Sequence, residues 1–114
     1  MRAPDVELLW WEGCPSTERA LSELRLALRE VGLKGVGVRM REIKTDEEAR
    51  GEGFVGSPTI LIDGRDIAGA DPGEAVGLNC RVYRRRDGRI SPTPDPDDLR
   101  EALARAAESE EVSN

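Results

Sequence analysis

Apolar positions along the chain change period several times, and each change marks an element. Val6, Leu8, Leu9, Trp10 and Trp11 form a short β-prone run that ends in the turn signal Glu12-Gly13-Cys14-Pro15. A first strand is therefore predicted, delivering Cys14 to a strand-to-helix junction. Leu21, Leu24, Leu28 and Val31, with Ala20 and Ala27, then recur at spacings of three and four, the single stripe of an amphipathic helix that Gly32 stops. Over residues 36–43 the pattern becomes period two: Val36, Val38 and Met40 alternate with Gly37, Arg39 and Arg41 before a slip to Ile43. Thr45 followed by Asp46, Glu47 and Glu48 reads as a cap with acids in the first turn, opening a short helix that ends at Gly51. The next strand is Thr59-Ile60-Leu61-Ile62-Asp63, entered through Ser57-Pro58 and closed by Asp63-Gly64.

Residues 65–79 are rich in Gly, Asp, Ala and Pro and have no period, which predicts a loop longer than small domains ordinarily carry. Arg81-Val82-Tyr83-Arg84-Arg85-Arg86 and Arg89-Ile90 flank Asp87-Gly88, a two-residue hairpin signal. Asp95 caps a last helix with Pro96 in its first turn and Leu99, Ala102, Leu103 and Ala106 on one face; residues 109–114 are expected to fray. The order predicts an α/β domain spanning residues 1–114, with a central mixed sheet of four or five strands flanked by three helices. The hairpin is expected to join that sheet.

With 114 residues the chain has room for one modest core. No apolar run approaches the roughly 18–20 residues of a membrane span, and residues 1–7 lack the apolar centre of an export signal, so a cytoplasmic protein without membrane contact is expected. A net charge of −6 disfavours nucleic acid. The chain has no histidine, which removes Cys-His and Ser-His nucleophile pairs and any imidazole zinc site. Cys14 and Cys80 are the only soft ligands, too few for a four-thiolate site; neither a metal nor a cofactor is expected.

Chemistry concentrates at Cys14. Placed as N-cap with Pro15 at the first helical position, its sulfur faces the N–H groups of Ser16 and Thr17 and the positive end of the helix dipole, a setting that favours thiolate. Thr17 can add a hydroxyl donor. Trp10 and Trp11 point to opposite faces of the strand, one packing in the core and the other covering Cys14. Gly51-Glu52-Gly53-Phe54-Val55-Gly56 fits a G-x-G-x-x-G string but precedes a strand, so its glycines are read as loop. Arg84, Arg85, Arg86 and Arg89 read as a wet strand face that could meet an acidic partner.

The element order, the Cys-Pro pair where the first strand meets the first helix, and Ser57-Pro58-Thr59 opening the third strand together resemble the thioredoxin-like superfamily over most of the chain. The resemblance implies that Cys14 is the nucleophile and that the peptide before Pro58 is cis. It further implies that backbone polar groups at Ser57-Pro58 lie beside the sulfur, where a substrate chain can pair with them. Thr17 stands where that family carries its second cysteine, so Cys14-Pro15-Ser16-Thr17 closes no disulfide within the motif. The implied activity is thiol-disulfide exchange with a thiol or disulfide substrate, a low-molecular-weight thiol among the candidates, contacted by Trp11, Pro15, Ser57 and Pro58. The chain is also similar to small bacterial thioredoxin-fold proteins of the alkylmercury lyase-like type, through Glu12-Gly13-Cys14-Pro15, Gly56-Ser57-Pro58-Thr59 and Gly77-Leu78-Asn79-Cys80-Arg81-Val82-Tyr83. That resemblance offers carbon–mercury cleavage or thiophilic-metal binding as alternatives, although Tyr83 stands where a lyase places its aspartate.

Cys80 has two readings. A plain thioredoxin layout starts the strand after Gly64 at the end of the sheet opposite Pro58, which keeps Cys80 away from Cys14. A segment spanning about 3.3 Å per residue when extended could carry it back. A resolving or co-ligand thiol and a packed, incidental one both remain open.

Overall fold

The structure, a computed structural model, describes residues 2–69 and 76–108. Its elements run β1 (Val6–Trp10), α1 (Thr17–Glu30), β2 (Val38–Glu42), α2 (Asp46–Glu52), β3 (Thr59–Ile62), β4 (Arg65–Asp66), β5 (Tyr83–Arg84), β6 (Ile90–Ser91) and α3 (Pro96–Glu108). Four strands make a mixed sheet in the order β2-β1-β3-β4, with β1 parallel to β2 and β3 antiparallel to both neighbours.

Alternation along the strands decides what covers each face. Val6, Leu8, Ile60 and Ile62 point to the side where α1 and α3 pack together, and there they join Ala20, Leu24, Leu28, Leu99 and Leu103 in the larger core cluster. Leu9 points the other way and meets Ile43, Ala49 and Phe54, with Trp11, Leu61 and Leu78 around them. One residue of slip in β1 would exchange these two sets. Outermost β2 carries Arg39 and Arg41, paired with Asp5, Glu7 and Glu52 from neighbouring segments, and its Met40 is exposed. Among the described residues no helix is long and apolar enough to cross a membrane.

Four details differ from the reading of the sequence. Residues 15–16 form a turn, so α1 starts at Thr17 with Ser16 as N-cap, whose carbonyl accepts the first helical bond from Ala20. Helix α2 passes Gly51 and stops at Gly53, whose φ of 66° supplies the left-handed C-cap. The loop expected from residue 65 opens with strand: Asp63 (φ 54°) and Gly64 turn the chain so that Arg65 and Asp66 pair with Ile62 and Leu61. The late hairpin forms a separate two-stranded sheet, with Arg86, Asp87 and Gly88 in its loop and Gly88 at φ 94° closing it. Two-residue strands are too short to carry a period, which is why neither β4 nor the independence of β5 and β6 can be read from pattern alone. The expected fraying at 109–114 and the middle of the long loop, 70–75, lie outside the described residues.

Asp95 caps α3 as the sequence indicates. One carboxylate oxygen accepts the Asp97 N–H at 2.9 Å and the other accepts the Arg86 N–H at 2.9 Å, tying hairpin to helix. These backbone donors hold the Asp95 carboxyl below its ordinary range. A depressed folded value stabilises the fold above the unfolded value of about 3.9, and the stabilisation is lost as pH falls through the lower folded value. Asp95→Ala is expected to cost about 1–2 kcal/mol at pH 7 by urea unfolding. The gap to the parent chain should close in acid; a gap independent of pH would contradict the assignment.

Candidate functional site

The C-terminal ends of β1 and β2 and the start of β3 converge on Cys14. The turn after β1 is closed by the Cys14 N–H donating to the Trp11 carbonyl at 3.0 Å, which folds the cysteine back over the strand end. Its sulfur accepts the Ser16 N–H at 3.4 Å and donates toward the Ser57 carbonyl at 3.6 Å. Cys14 is 9% exposed. The Ser57–Pro58 peptide is cis. The sulfur lies two residues before the N-cap, and a single N–H reaches it. The Thr17 hydroxyl is buried without a hydrogen-bond partner, contrary to the expected bond to sulfur, because that sulfur turns to Ser16 and Ser57.

Trp11 lies over Gly13, the residue before Cys14. Its ring lies so close over Gly13 that a Cβ there would fall 2.3 Å from ring carbons, and its Nε1–H donates to the Asn79 carbonyl at 2.9 Å. Gly13 thus permits the indole to reach from the Cys14 turn to the segment that carries Cys80. Trp10 instead packs against the larger core cluster. Pro15 is exposed at the rim.

Residues 79–81 run alongside Ser57 as a parallel bridge centred on Ser57 and Cys80. The Ser57 N–H donates to the Asn79 carbonyl at 2.8 Å, and the Arg81 N–H donates to the Ser57 carbonyl at 2.9 Å. The long loop therefore does return Cys80 to the end of the sheet that holds Cys14, and Cys80 is exposed there. This arrangement corrects one expectation: the backbone groups of Ser57 that a substrate chain was to use are already paired with the chain's own segment. Ser57 is 1% exposed, and its Oγ is buried with no partner.

Arg81 anchors the returning segment. Its guanidinium is 5% exposed, pairs with Asp66 at 2.7 Å, donates to Thr59 Oγ1 at 3.1 Å and to the Gly69 carbonyl at 3.1 Å, and stacks 4.8 Å from the centre of the Tyr83 ring. The Tyr83 hydroxyl donates to the Pro58 carbonyl. Thr59 Oγ1 in turn donates to the Gly56 carbonyl at 2.6 Å. Asp66, Arg81 and Tyr83 thus hold both sides of the cysteine-bearing edge, and sequence reasoning gave none of the three this anchoring role. An arginine in a basic run reads as wet; the available signal was the acid at 66 opening the loop that arginine 81 closes. The four arginines expected on a free basic face are engaged locally: Arg86 with Asp98 and Glu101, Arg85 with Ser91 and Thr93, Arg84 with the Gly88 carbonyl and Arg89 with Asp87.

Among the described residues no group of three or more Cys, Asp or Glu side chains converges as a metal site. A shallow groove at the other end of the sheet, lined by Arg2, Ile62, Asp63, Arg65 and Ala106, has no thiol or hydroxyl side chain among its described lining residues. Comparison of the chain with family models, with curated proteins and with solved structures gives no match.

Proposed function

We propose that this chain is a thioredoxin-like thiol protein of a reducing compartment that exchanges disulfides through Cys14. The observation that carries the reading is the setting of the Cys14 sulfur between the Ser16 N–H and the Ser57 carbonyl. A sulfur anion gains a donor there, and the thiol form has an acceptor for its proton. The sheet order β2-β1-β3-β4, with α1 and α3 on one face and α2 on the other, supports the superfamily reading. Against the lyase-like alternative, Tyr83 is engaged with Pro58, and the carboxylate that reaches this segment, Asp66, is held by Arg81.

In the reaction, the Cys14 thiolate attacks one sulfur of a substrate disulfide in line with the S–S bond. A Cys14–substrate disulfide forms, and the second substrate sulfur leaves as thiolate with the electron pair of the broken bond. A second thiol then attacks the Cys14 sulfur, forms a new disulfide with it and releases the bound half as thiolate; a further thiol attacks the outer sulfur of that disulfide, frees Cys14 as thiolate and leaves as the disulfide of the two thiols. The attack needs the thiolate form of Cys14, whose proton leaves to solvent, and no histidine takes part.

Incubating the reduced chain with a low-molecular-weight disulfide and mapping the peptides should find Cys14 modified, and Cys14→Ser should abolish disulfide turnover. Modification confined to Cys80, with Cys14 untouched over the same interval, would overturn the proposal.

A further inference from the structure

We infer that Cys80 is the resolving thiol of this chain, taking from the loop the role that Thr17 cannot fill. The inference rests on the exchange reading above. The Cys14 sulfur is 3.6 Å from the Ser57 carbonyl, and that same carbonyl accepts the Arg81 N–H at 2.9 Å, the peptide nitrogen directly after Cys80. Two contacts therefore separate the Cys14 sulfur from the backbone of Cys80.

The placement of Cys80 is built. Bridge partners in neighbouring strands lie about 4.8 Å apart, so Cys80 sits one strand spacing from the residue that touches the Cys14 sulfur. Asn79 is held twice, by Ser57 N–H and by Trp11 Nε1–H, and Arg81 is fixed by Asp66, Thr59 and Gly69. Cys80 is thus exposed on a segment pinned on either side of it. Ser57, which both cysteine-bearing segments contact, carries a buried hydroxyl with no hydrogen-bond partner.

The electron balance closes within the chain. Cys14 attacks R–S–S–R′ and releases R′–S⁻. The Cys80 thiolate then attacks the Cys14 sulfur of the mixed disulfide, the Cys14–S–S–R bond breaks, and R–S⁻ leaves. The substrate gains two electrons and, from the two cysteines, two protons; the chain is left with a Cys14–Cys80 disulfide. Two equivalents of a low-molecular-weight thiol then restore the dithiol.

The test uses the full reduced chain and one equivalent of an aromatic disulfide whose thiolate is coloured. The parent chain should release both aromatic thiolates per molecule and end as a monomer with Cys14 joined to Cys80 in a non-reducing peptide map. Cys80→Ser should release one and hold the other on Cys14, prolonging that adduct at least about tenfold in the absence of added thiol. A parent chain that also holds the adduct, or that ends as a dimer linked through Cys80, overturns the inference and leaves the exchange reading intact. Failure of Cys80→Ser to release any aromatic thiolate overturns both.

Discussion

Asp66→Ala is expected to destabilise the fold by about 3 kcal/mol, the lower end of the cost of breaking a buried ion pair. Asp66 keeps 18% side-chain exposure while Arg81 keeps 5%, so some water reaches the pair without solvating the guanidinium it would leave behind. Thr59 Oγ1 and the Gly69 carbonyl still accept from Arg81. In a chain of 114 residues the loss should lower the melting temperature by roughly 10 °C. Adding Arg81→Met to Asp66→Ala should recover much of it, because the buried guanidinium is removed together with the carboxylate. Equal stability of Asp66→Ala and the parent chain in urea would show that the pair contributes nothing.

Gly56→Ala is the second large effect. Gly56 has a φ of 142°, and a Cβ there would lie 3.0 Å from Arg81 Cβ and 3.1 Å from Arg81 N. The backbone conformation alone costs a side chain about 1–3 kcal/mol, and the crowding falls on the backbone and Cβ of Arg81, which cannot rotate away as a side-chain tip would. Stability should drop by at least that amount. Because the crowded residue is the one bonded to the Ser57 carbonyl, Cys80 should also alkylate faster in the native state than in the parent chain. A variant with unchanged stability and unchanged Cys80 labelling would mean that residues 79–81 are not seated as described.

Sequence pattern located what depends on local periodicity. The stripe of α1, the apolar runs of β1 and β3 and the Asp95 cap each follow from residues a few positions apart, and each is found where the pattern puts it. So is the approach of Ser57 to Cys14 implied by the family resemblance. What escaped is long-range. Cys80 reaches the site through a bridge to Ser57, and nothing in the residues around Cys80 encodes that partner. Arg81 shows the same limit: its burial depends on Asp66 and Tyr83, each unremarkable alone. The start of α1 shifted to Thr17 for a local reason, since the turn at 15–16 is completed before the helix begins.

The arginines of β2 bear on how copies of this chain meet one another. An unpaired sheet border is a template for a strand from another molecule, and proteins guard it with charge and with brevity. Here Arg39, at 62% side-chain exposure, and Arg41 are clasped to Asp5, Glu7 and Glu52 along one border, and the opposite border ends in the two residues of β4. An invading strand would have to unfasten those ion pairs at the first border and would find little length to grip at the second. Crowding many copies together therefore offers no easy route to edge-on stacking.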